Sequence, residues 1–173
     1  MVCDLPVVIN SGSSNQRLTV AVPLVIYAER EHLDKEKLYR ALVISNLTAI
    51  HLKTEIGRLS AFCGAVSAGA ACGAGLAYLK DASEEVMNHT IVNALAITSG
   101  IICDGAKASC AAKIAVSVEA GILGYDMYMN GQQFYGGDGI ISKGIENTIH
   151  NIGVLGSQGM ASTDQEIIKI MCE

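Results

Sequence analysis

The sequence contains no tryptophan and only two prolines, and aromatic side chains make up just 5% of its residues. Charged residues are also scarce, at 17% against about 25% in an average soluble domain. Small aliphatic residues are correspondingly common. Apolar residues make up 50% of the chain, and 18 residues are glycine. Disorder requires low hydrophobicity, and a collagen-like chain requires glycine at every third position. The composition therefore excludes both classes.

Several classes of function lack their usual signals. The 12 basic residues are spread thinly and the net charge is −5, so the basic stripe of a nucleic-acid-binding protein is absent. No apolar run reaches the ~18 residues of a membrane span, and the first residues do not follow the pattern of a secretory signal. We therefore expect a cytoplasmic protein that binds neither nucleic acid nor membrane. The length predicts a single domain over residues 1–173.

The chain has six cysteines, which is a high number for its size. Disulfide scaffolds are small, loop-rich and short of core, whereas this sequence is rich in core-forming residues. We therefore expect reduced thiols, which serve either as core packing or as metal ligands.

Apolar residues recur at helical spacing, and no useful stretch alternates as a half-buried strand does. Residues 60–80 are mostly Ala, Gly, Ser and Cys, which permits either close helix packing or a cofactor beside the backbone. The sequence predicts an all-α domain of about six helices, with small-residue-rich helices packed closely around a cysteine cluster. Outside residues 60–80, a first helix is expected either to start near Pro23 or to bend there. Further helices are expected from Asp34 to Ile56, from Ser83 to Ser99, from Cys110 to a Gly124 end, from Lys143 to Ile152, and from a capping box at Thr163.

Three cysteines lie in informative surroundings. Cys63 is within the small-residue segment, and Cys103 and Cys110 flank a short run that contains Asp104 and Lys107. Soft thiolates suit zinc or iron–sulfur clusters. The six-residue gap between the last two cysteines is too long for the Cys-x2-Cys knuckle of a zinc finger, and the histidines have no metal-binding spacing. Simple core packing stays open as the alternative, because cysteine is among the most often buried residue types.

Four runs of the sequence resemble the L-cysteine desulfidases, a branch of the iron–sulfur L-serine dehydratase α-chain superfamily. They are VINSGSSNQ at residues 8–16, GRLSAFCGAVSAG at 57–69, ICDGAKASCAAKIA at 102–115 and NIGVLGSQGM at 151–160. The runs occur in the same order along essentially the whole chain. The Cys-Asp-Gly-Ala-Lys segment is the most specific of these similarities.

The resemblance implies a [4Fe–4S] enzyme that does not use pyridoxal phosphate. By similarity, Cys63, Cys103 and Cys110 hold the cluster and leave one iron open to bind the sulfur or hydroxyl of L-cysteine or L-serine. A base then removes the Cα proton, and elimination yields pyruvate and ammonia, with sulfide released from cysteine. Lys107 and His51 are the candidate bases. Lys107 can instead pair with a carboxylate, and His51 can instead be a hydrogen-bonded core residue.

The polar loop near the start aligns with a loop that lies beside the cluster in the dehydratases. Its amides, hydroxyls and backbone N–H groups suit a substrate carboxylate, and a plain turn before a helix is the alternative. Cys3, Cys72 and Cys172 match no ligand position. The residues that the resemblance assigns to substrate binding are Asn10, Ser11, Gly12, Ser13, Asn15 and Gln16.

Members of the family are expected to be more than twice as long, and this chain corresponds to their C-terminal half. An isolated domain, a subunit with a partner chain and a truncated product are the three explanations. We expect a homo-oligomer, or a partner chain that supplies the missing half, acting on a small amino acid. The alternatives are a non-catalytic helical module with inert thiols, which binds a partner or a small molecule, and a zinc or redox thiol site.

Overall fold

A computed structural model describes residues 6–173 of the chain, so Cys3 lies outside the described residues. Over this range the chain contains seven α-helices, one π-helical turn and no β-strand. The predicted all-α architecture is confirmed, although the sequence predicts about six helices. The elements are α1 Ser14–Arg30, α2 Lys35–Ile56, α3 Gly64–Leu79, α4 Glu84–Thr98, α5 Cys110–Met129, α6 Ile145–Val154, the π-helical turn Leu155–Gly159, and α7 Ala161–Cys172.

Helix α3 is the centre of the fold and packs against α1, α2, α4 and α5. Nearly all of its residues are buried, because Ala, Gly, Ser and Cys leave little side chain between neighbouring axes. A Cβ on Gly73 would lie only 2.9 Å from Gly121 Cα of α5, and a Cβ on Gly69 would collide with the backbone of Ser117. Along most of α3 the small residues therefore serve close packing, as the first of the two interpretations of residues 60–80 predicts.

Helix α1 begins at Ser14 and Pro23 lies inside it, so the first of the two predicted arrangements, a start near Pro23, is wrong. Ser13 explains the earlier start, because its backbone is extended and its side-chain oxygen accepts a hydrogen bond from Gln16 N. This is the usual arrangement of an N-cap residue. The loop predicted to bind substrate therefore runs directly into the first turn of α1.

Two predicted boundaries near the end of the chain are wrong. Helix α5 continues past Gly124 to Met129, and a Cβ on Gly124 would lie 2.8 Å from the carbonyl oxygen of Thr90. Glycine is needed there for contact with α4 rather than to end a helix. Helix α7 begins at Ala161, and no side chain caps it, so the capping box expected at Thr163 does not form. Only one residue, Met160, separates the end of the π-helical turn from the start of α7.

The outer face of α2 is apolar. Tyr39, Val43, Leu47 and Ile50 recur at helical spacing and are 57%, 56%, 60% and 44% exposed. The opposite face of the same helix enters the core, so α2 is apolar around most of its circumference, as its sequence predicts. Among residues 6–173, none of the helices combines the length and apolar character that crossing a bilayer requires.

Candidate metal centre

Three cysteines from separate parts of the chain line one cavity of about 320 Å³. Cys63 is the N-cap residue of α3, Cys103 lies in the connection between α4 and α5, and Cys110 is the first residue of α5. The three predicted ligands therefore border a shared space. Inert packing thiols would be expected on unrelated faces of the fold, and these three cysteines are not arranged in that way.

Backbone pairing holds Cys63 beside Cys103. Cys63 N donates to Ile101 O at 3.1 Å, and Cys103 N donates to Ala61 O at 2.6 Å. The segments before α3 and after α4 therefore run antiparallel over a short stretch. Phe62, which lies opposite Ile102 in this pairing, is fully buried in the core that also includes residues of α2 and α6. This anchor fixes the backbone from which both sulfurs project.

A hydrogen bond between the Cys63 and Cys103 side chains separates the acidities of the two thiols. It lowers the pKa of Cys103 to about 6, with help from the Gly105 N–H and from the charges of Lys113 and Lys53, while burial opposes the shift. The same hydrogen bond raises the pKa of Cys63, and burial raises it further, while the N–H groups of Ala65 and Val66 oppose the shift. Cys103 is therefore the more acidic thiol of the pair.

The turn between Cys103 and Cys110 directs backbone N–H groups at both sulfurs. The Gly105 N–H lowers the pKa of the Cys103 thiol, and Lys107 N lies 3.4 Å from Cys110 Sγ. Gly105 has φ +87°, a conformation that a residue with a side chain rarely adopts. Hydrogen bonds to sulfur are among the features by which proteins tune iron–sulfur clusters.

Lys113 is the cation that pairs with the acidic residue of this turn. Its Nζ lies 2.5 Å from Asp104 Oδ1 and donates to Ile102 O at 3.0 Å. The pairing lowers the pKa of Asp104 and raises the pKa of Lys113. The sequence reasoning missed Lys113. Its position one helical turn after Cys110 was the available signal, because residues three apart share a helix face.

A second lysine that the sequence reasoning missed lies in the cavity wall. Lys53 is only 5% exposed and lies on the inward face of α2 with the buried Ala49 and Ile56. Burial lowers its pKa, and the neighbouring Cys103 and Cys63 act in the opposite direction. Within the described part of the chain it forms no ion pair. A lysine at core spacing on an otherwise apolar face was the signal that could have found it.

The residues of the loop predicted to bind substrate lie in different surroundings in the structure. Ser11 lines an adjoining cavity together with Lys53 and Arg58. Asn10 is buried, and its amide nitrogen donates to Asn46 Oδ1 at 2.8 Å, which ties the loop to α2. The remaining four residues line the cysteine cavity itself: Gly12, Ser13, Asn15 and Gln16.

Gln16 is the most deeply buried of the residues that enter the cavity from this loop. It is 3% exposed, and its Oε1 has no hydrogen-bond partner among residues 6–173. A Cβ on Gly64 would lie 2.5 Å from Gln16 Nε2, so glycine at the start of α3 leaves the space that this side chain occupies.

The two candidate bases do not line the cavity. His51 lies on the exposed side of α2, where its Nε2 is 2.9 Å from Glu146 Oε2. Lys107 is exposed at the turn, and its backbone N–H contacts Cys110. The structure thus brings the three cysteines and four loop residues together, but it does not bring these two side chains to the same wall.

The other described cysteines lie elsewhere. Cys72 is fully buried within α3 in a core cluster with Leu24 and Leu76, and burial raises its pKa to about 12. Cys172 is exposed at the end of α7. Neither lines the cavity.

The donor set of the cavity is made of three thiols, which are the residue type that holds iron–sulfur clusters. Two lysines, Lys53 and Lys113, line the same cavity. Among the described residues, no three His, Cys, Asp or Glu side chains converge closely enough for one metal ion.

Comparison with known proteins finds a matching family and several similar proteins. Residues 2–169 match the family described as serine dehydratase alpha chain. A UPF0597 protein of Desulfitobacterium hafniense is 64% identical to this chain over 98% of its length. UPF0597 proteins of Treponema denticola and Finegoldia magna are 53% and 52% identical over 98% and 99% of it.

These relatives are longer than the matched region. The match covers 39% of the Desulfitobacterium and Treponema proteins and 41% of the Finegoldia protein. The chain therefore spans about two fifths of the length of the curated relatives it matches. No solved structure matches it.

Proposed function

Because the chain belongs to the serine dehydratase alpha chain family, we propose that it is the iron–sulfur part of a lyase. The reaction is β-elimination of sulfide from L-cysteine, or of water from L-serine, and water then hydrolyses the resulting aminoacrylate to pyruvate and ammonia. The observation that carries the proposal is the convergence of Cys63, Cys103 and Cys110 on one cavity. Each of them is a cluster ligand according to the resemblance of the sequence.

In this proposal the three cysteines hold a [4Fe–4S] cluster that has one iron without a protein ligand. Such an iron supplies a Lewis acid for the sulfur or oxygen that leaves the substrate. The chain supplies a ready thiolate at Cys103 and N–H donors from Gly105 and Lys107. Positive charge beside the thiolates reduces the electrostatic cost of collecting them in a partly buried site.

The amino-acid substrate is proposed to lie against the loop that precedes α1. Gly12, Ser13, Asn15 and Gln16 border the cavity and offer hydroxyl, amide and backbone groups. Asn10 is proposed to act through its hydrogen bond to α2, and Ser11 through the adjoining cavity.

Proton removal at Cα is assigned to Lys107 or His51, and both assignments stay predictions. Because neither side chain borders the cavity, a catalytic role requires that it reach the substrate from outside the wall. Lys107→Ala and His51→Ala, compared for kcat in an active enzyme, test the two assignments separately.

We propose that a second copy, or the additional length found in the relatives, completes the enzyme. The relatives exceed the matched region by more than half of their length, and the apolar outer face of α2 supports an uncovered surface. A reducing, cytoplasmic setting is proposed because the described cysteines are all free.

The proposal is tested by anaerobic reconstitution of the chain with iron and sulfide. We expect the broad visible absorbance of an iron–sulfur cluster, and its loss in Cys63→Ala, Cys103→Ala and Cys110→Ala. Cys72→Ala is the matched control, because this thiol is buried away from the cavity, and it should load normally.

Two results would overturn the assignment. One is a wild-type chain that takes up no iron under anaerobic conditions, which favours a helical module with inert thiols. The other is loading that survives substitution of Cys63 and Cys103. Metal analysis of protein purified with and without air separates a cluster from a zinc site, since zinc has no redox chemistry.

A further inference from the structure

The cavity contains two polar residues, both buried, that are not among the proposed cluster ligands. Lys53 and Gln16 both line it and are 5% and 3% exposed. Among residues 6–173, Gln16 Oε1 is a buried acceptor without a donor, and Lys53 forms no ion pair, although Cys103, Cys63 and Asp164 act on its charge from further away. Buried polar groups are nearly always hydrogen-bonded in folded proteins, so the unpartnered Gln16 oxygen beside an unpaired lysine indicates where ligand atoms belong.

We propose that Lys53 and Gln16 form a receptor for the two charged groups of an α-amino acid. Lys53 Nζ binds the carboxylate, and Gln16 Oε1 accepts a hydrogen bond from the ammonium group. The chemistry is complementary at both ends, because a lysine ammonium only donates and a substrate ammonium needs acceptors. The inference rests on the proposed function, since it names the residues that recognise the substrate of the same site.

Lys53 is selected by comparison with the other cations of the cavity wall. In the described residues these are Lys113 and Arg58. Lys113 is already paired with Asp104 at 2.5 Å. Arg58 is exposed at the rim, where water and salt weaken its attraction for an anion. A cation within the wall attracts a carboxylate more strongly, because the effective dielectric constant is lower there.

The receptor predicts a defined selectivity. A ligand that carries both groups makes both contacts, whereas an amine without a carboxylate loses the contact with Lys53. A hydroxy acid without an ammonium group loses the contact with Gln16. Charge-assisted hydrogen bonds are stronger than neutral ones, so each loss should weaken binding about tenfold.

The test uses the iron-free chain and measures how fast iodoacetamide alkylates Cys103, by mass spectrometry, with and without L-serine. L-Serine in the cavity should slow alkylation of the wild-type chain. In Lys53→Met, about tenfold more L-serine should be needed for the same protection. Ethanolamine, which lacks the carboxylate, should protect both forms equally and weakly. Each protein is compared with itself, because Lys53 also affects the reactivity of Cys103.

The controls separate the receptor from general charge effects. Lys35→Met removes an exposed lysine from the first turn of the same helix and should protect as the wild type does. Arg58→Met should also retain protection. For the other end of the ligand, Gln16→Leu should weaken protection by L-serine but leave protection by L-lactate unchanged, since L-lactate has no ammonium group.

The receptor is overturned if L-serine does not protect wild-type Cys103, if Lys53→Met is protected as well as wild type, or if Arg58→Met alone abolishes protection. Circular dichroism checks that Lys53→Met folds, and Lys53→Gln replaces it if it does not. Iron loading is measured separately. A chain that takes up no iron but shows Lys53-dependent protection disproves the cluster and supports the receptor. A chain that loads iron but shows no Lys53-dependent protection supports the cluster and disproves the receptor.

Discussion

At the scale of single residues, two neighbouring thiols of the cavity differ in acidity. Their shared hydrogen bond lowers the pKa of Cys103 to about 6 and raises the pKa of Cys63. A thiolate is the form that binds metal and reacts with electrophiles. Cys103 is thus the more reactive thiol of this pair.

This division predicts the reactivity of the iron-free chain. Cys103 should be alkylated rapidly at pH 7, and its rate should fall as the pH drops through about 6, where the thiolate is protonated. Cys63→Ala removes the donor, so it should raise the pKa of Cys103 and slow its alkylation at pH 7. Peptide mass spectrometry after timed exposure to iodoacetamide measures both effects.

Cys72 is the internal control for that experiment. It is fully buried and its pKa is raised to about 12, so it should remain unlabelled in the folded chain. A pH profile of Cys103 that Cys63→Ala leaves unchanged would contradict the hydrogen-bond explanation.

At the scale of elements, the turn between Cys103 and Cys110 depends on a backbone conformation that only glycine adopts readily. Gly105 has φ +87°, and Gly131, after the end of α5, has φ +73°. Alanine at either position is strained by about 1–2 kcal/mol. Only the first of these positions directs an N–H group at a cysteine of the cavity.

The two glycines therefore form a matched pair of substitutions. Gly105→Ala and Gly131→Ala should lower the free energy of unfolding by similar amounts, measured in urea. Only Gly105→Ala should also reduce the iron taken up per chain during reconstitution. Equal iron contents in the two variants would show that the turn does not shape the site.

Packing between α3 and α5 gives another prediction for elements. A Cβ on Gly73 would lie 2.9 Å from backbone atoms of Gly121, so Gly73→Ala should destabilise the chain by roughly 1–3 kcal/mol, the usual cost of overpacking. Gly100 has no atom within 4 Å of its Cβ position and is not at positive φ. Gly100→Ala should change stability by no more than about 0.5 kcal/mol. Urea denaturation of both variants makes the comparison.

The sequence predicts much at this scale because helix starts are local. Asp34 and Ser83 cap α2 and α4 as their side-chain chemistry predicts. Gly124 and Thr163 mislead because the structure uses the first for contact between helices and bypasses the second through a π-helical turn. Local spacing cannot reveal either use, since both depend on where another element lies.

For the site too, local patterns could be found from the sequence and tertiary positions could not. The cysteines were found from their motifs, whereas Lys53 and Lys113 come from helices whose approach to the cavity is a tertiary property. The sequence offered Lys107 for pairing with a carboxylate, whereas the structure pairs the carboxylate of Asp104 with Lys113.

At the scale of the whole molecule, all three proposed ligands lie within a chain that covers about two fifths of its relatives. The reconstituted chain should therefore load iron to the same content per site as a full-length UPF0597 relative. Its release of sulfide from L-cysteine should be at least tenfold slower, if residues beyond the match take part in proton transfer. Iron analysis and sulfide assays on both proteins, prepared side by side, test this. Equal rates would place the whole reaction within these residues.

The burial of α3 also sets an order for biosynthesis. This helix is rich in glycine and has no polar face of its own, so it has little tendency to form before its neighbours enclose it. Cys63 stands at its first turn and gains its position beside Cys103 only when α1, α2, α4 and α5 have assembled around it. If the proposed cluster is correct, iron would have to reach a chain that has already folded, and oxygen could reach the thiols of each new molecule before the cluster is in place.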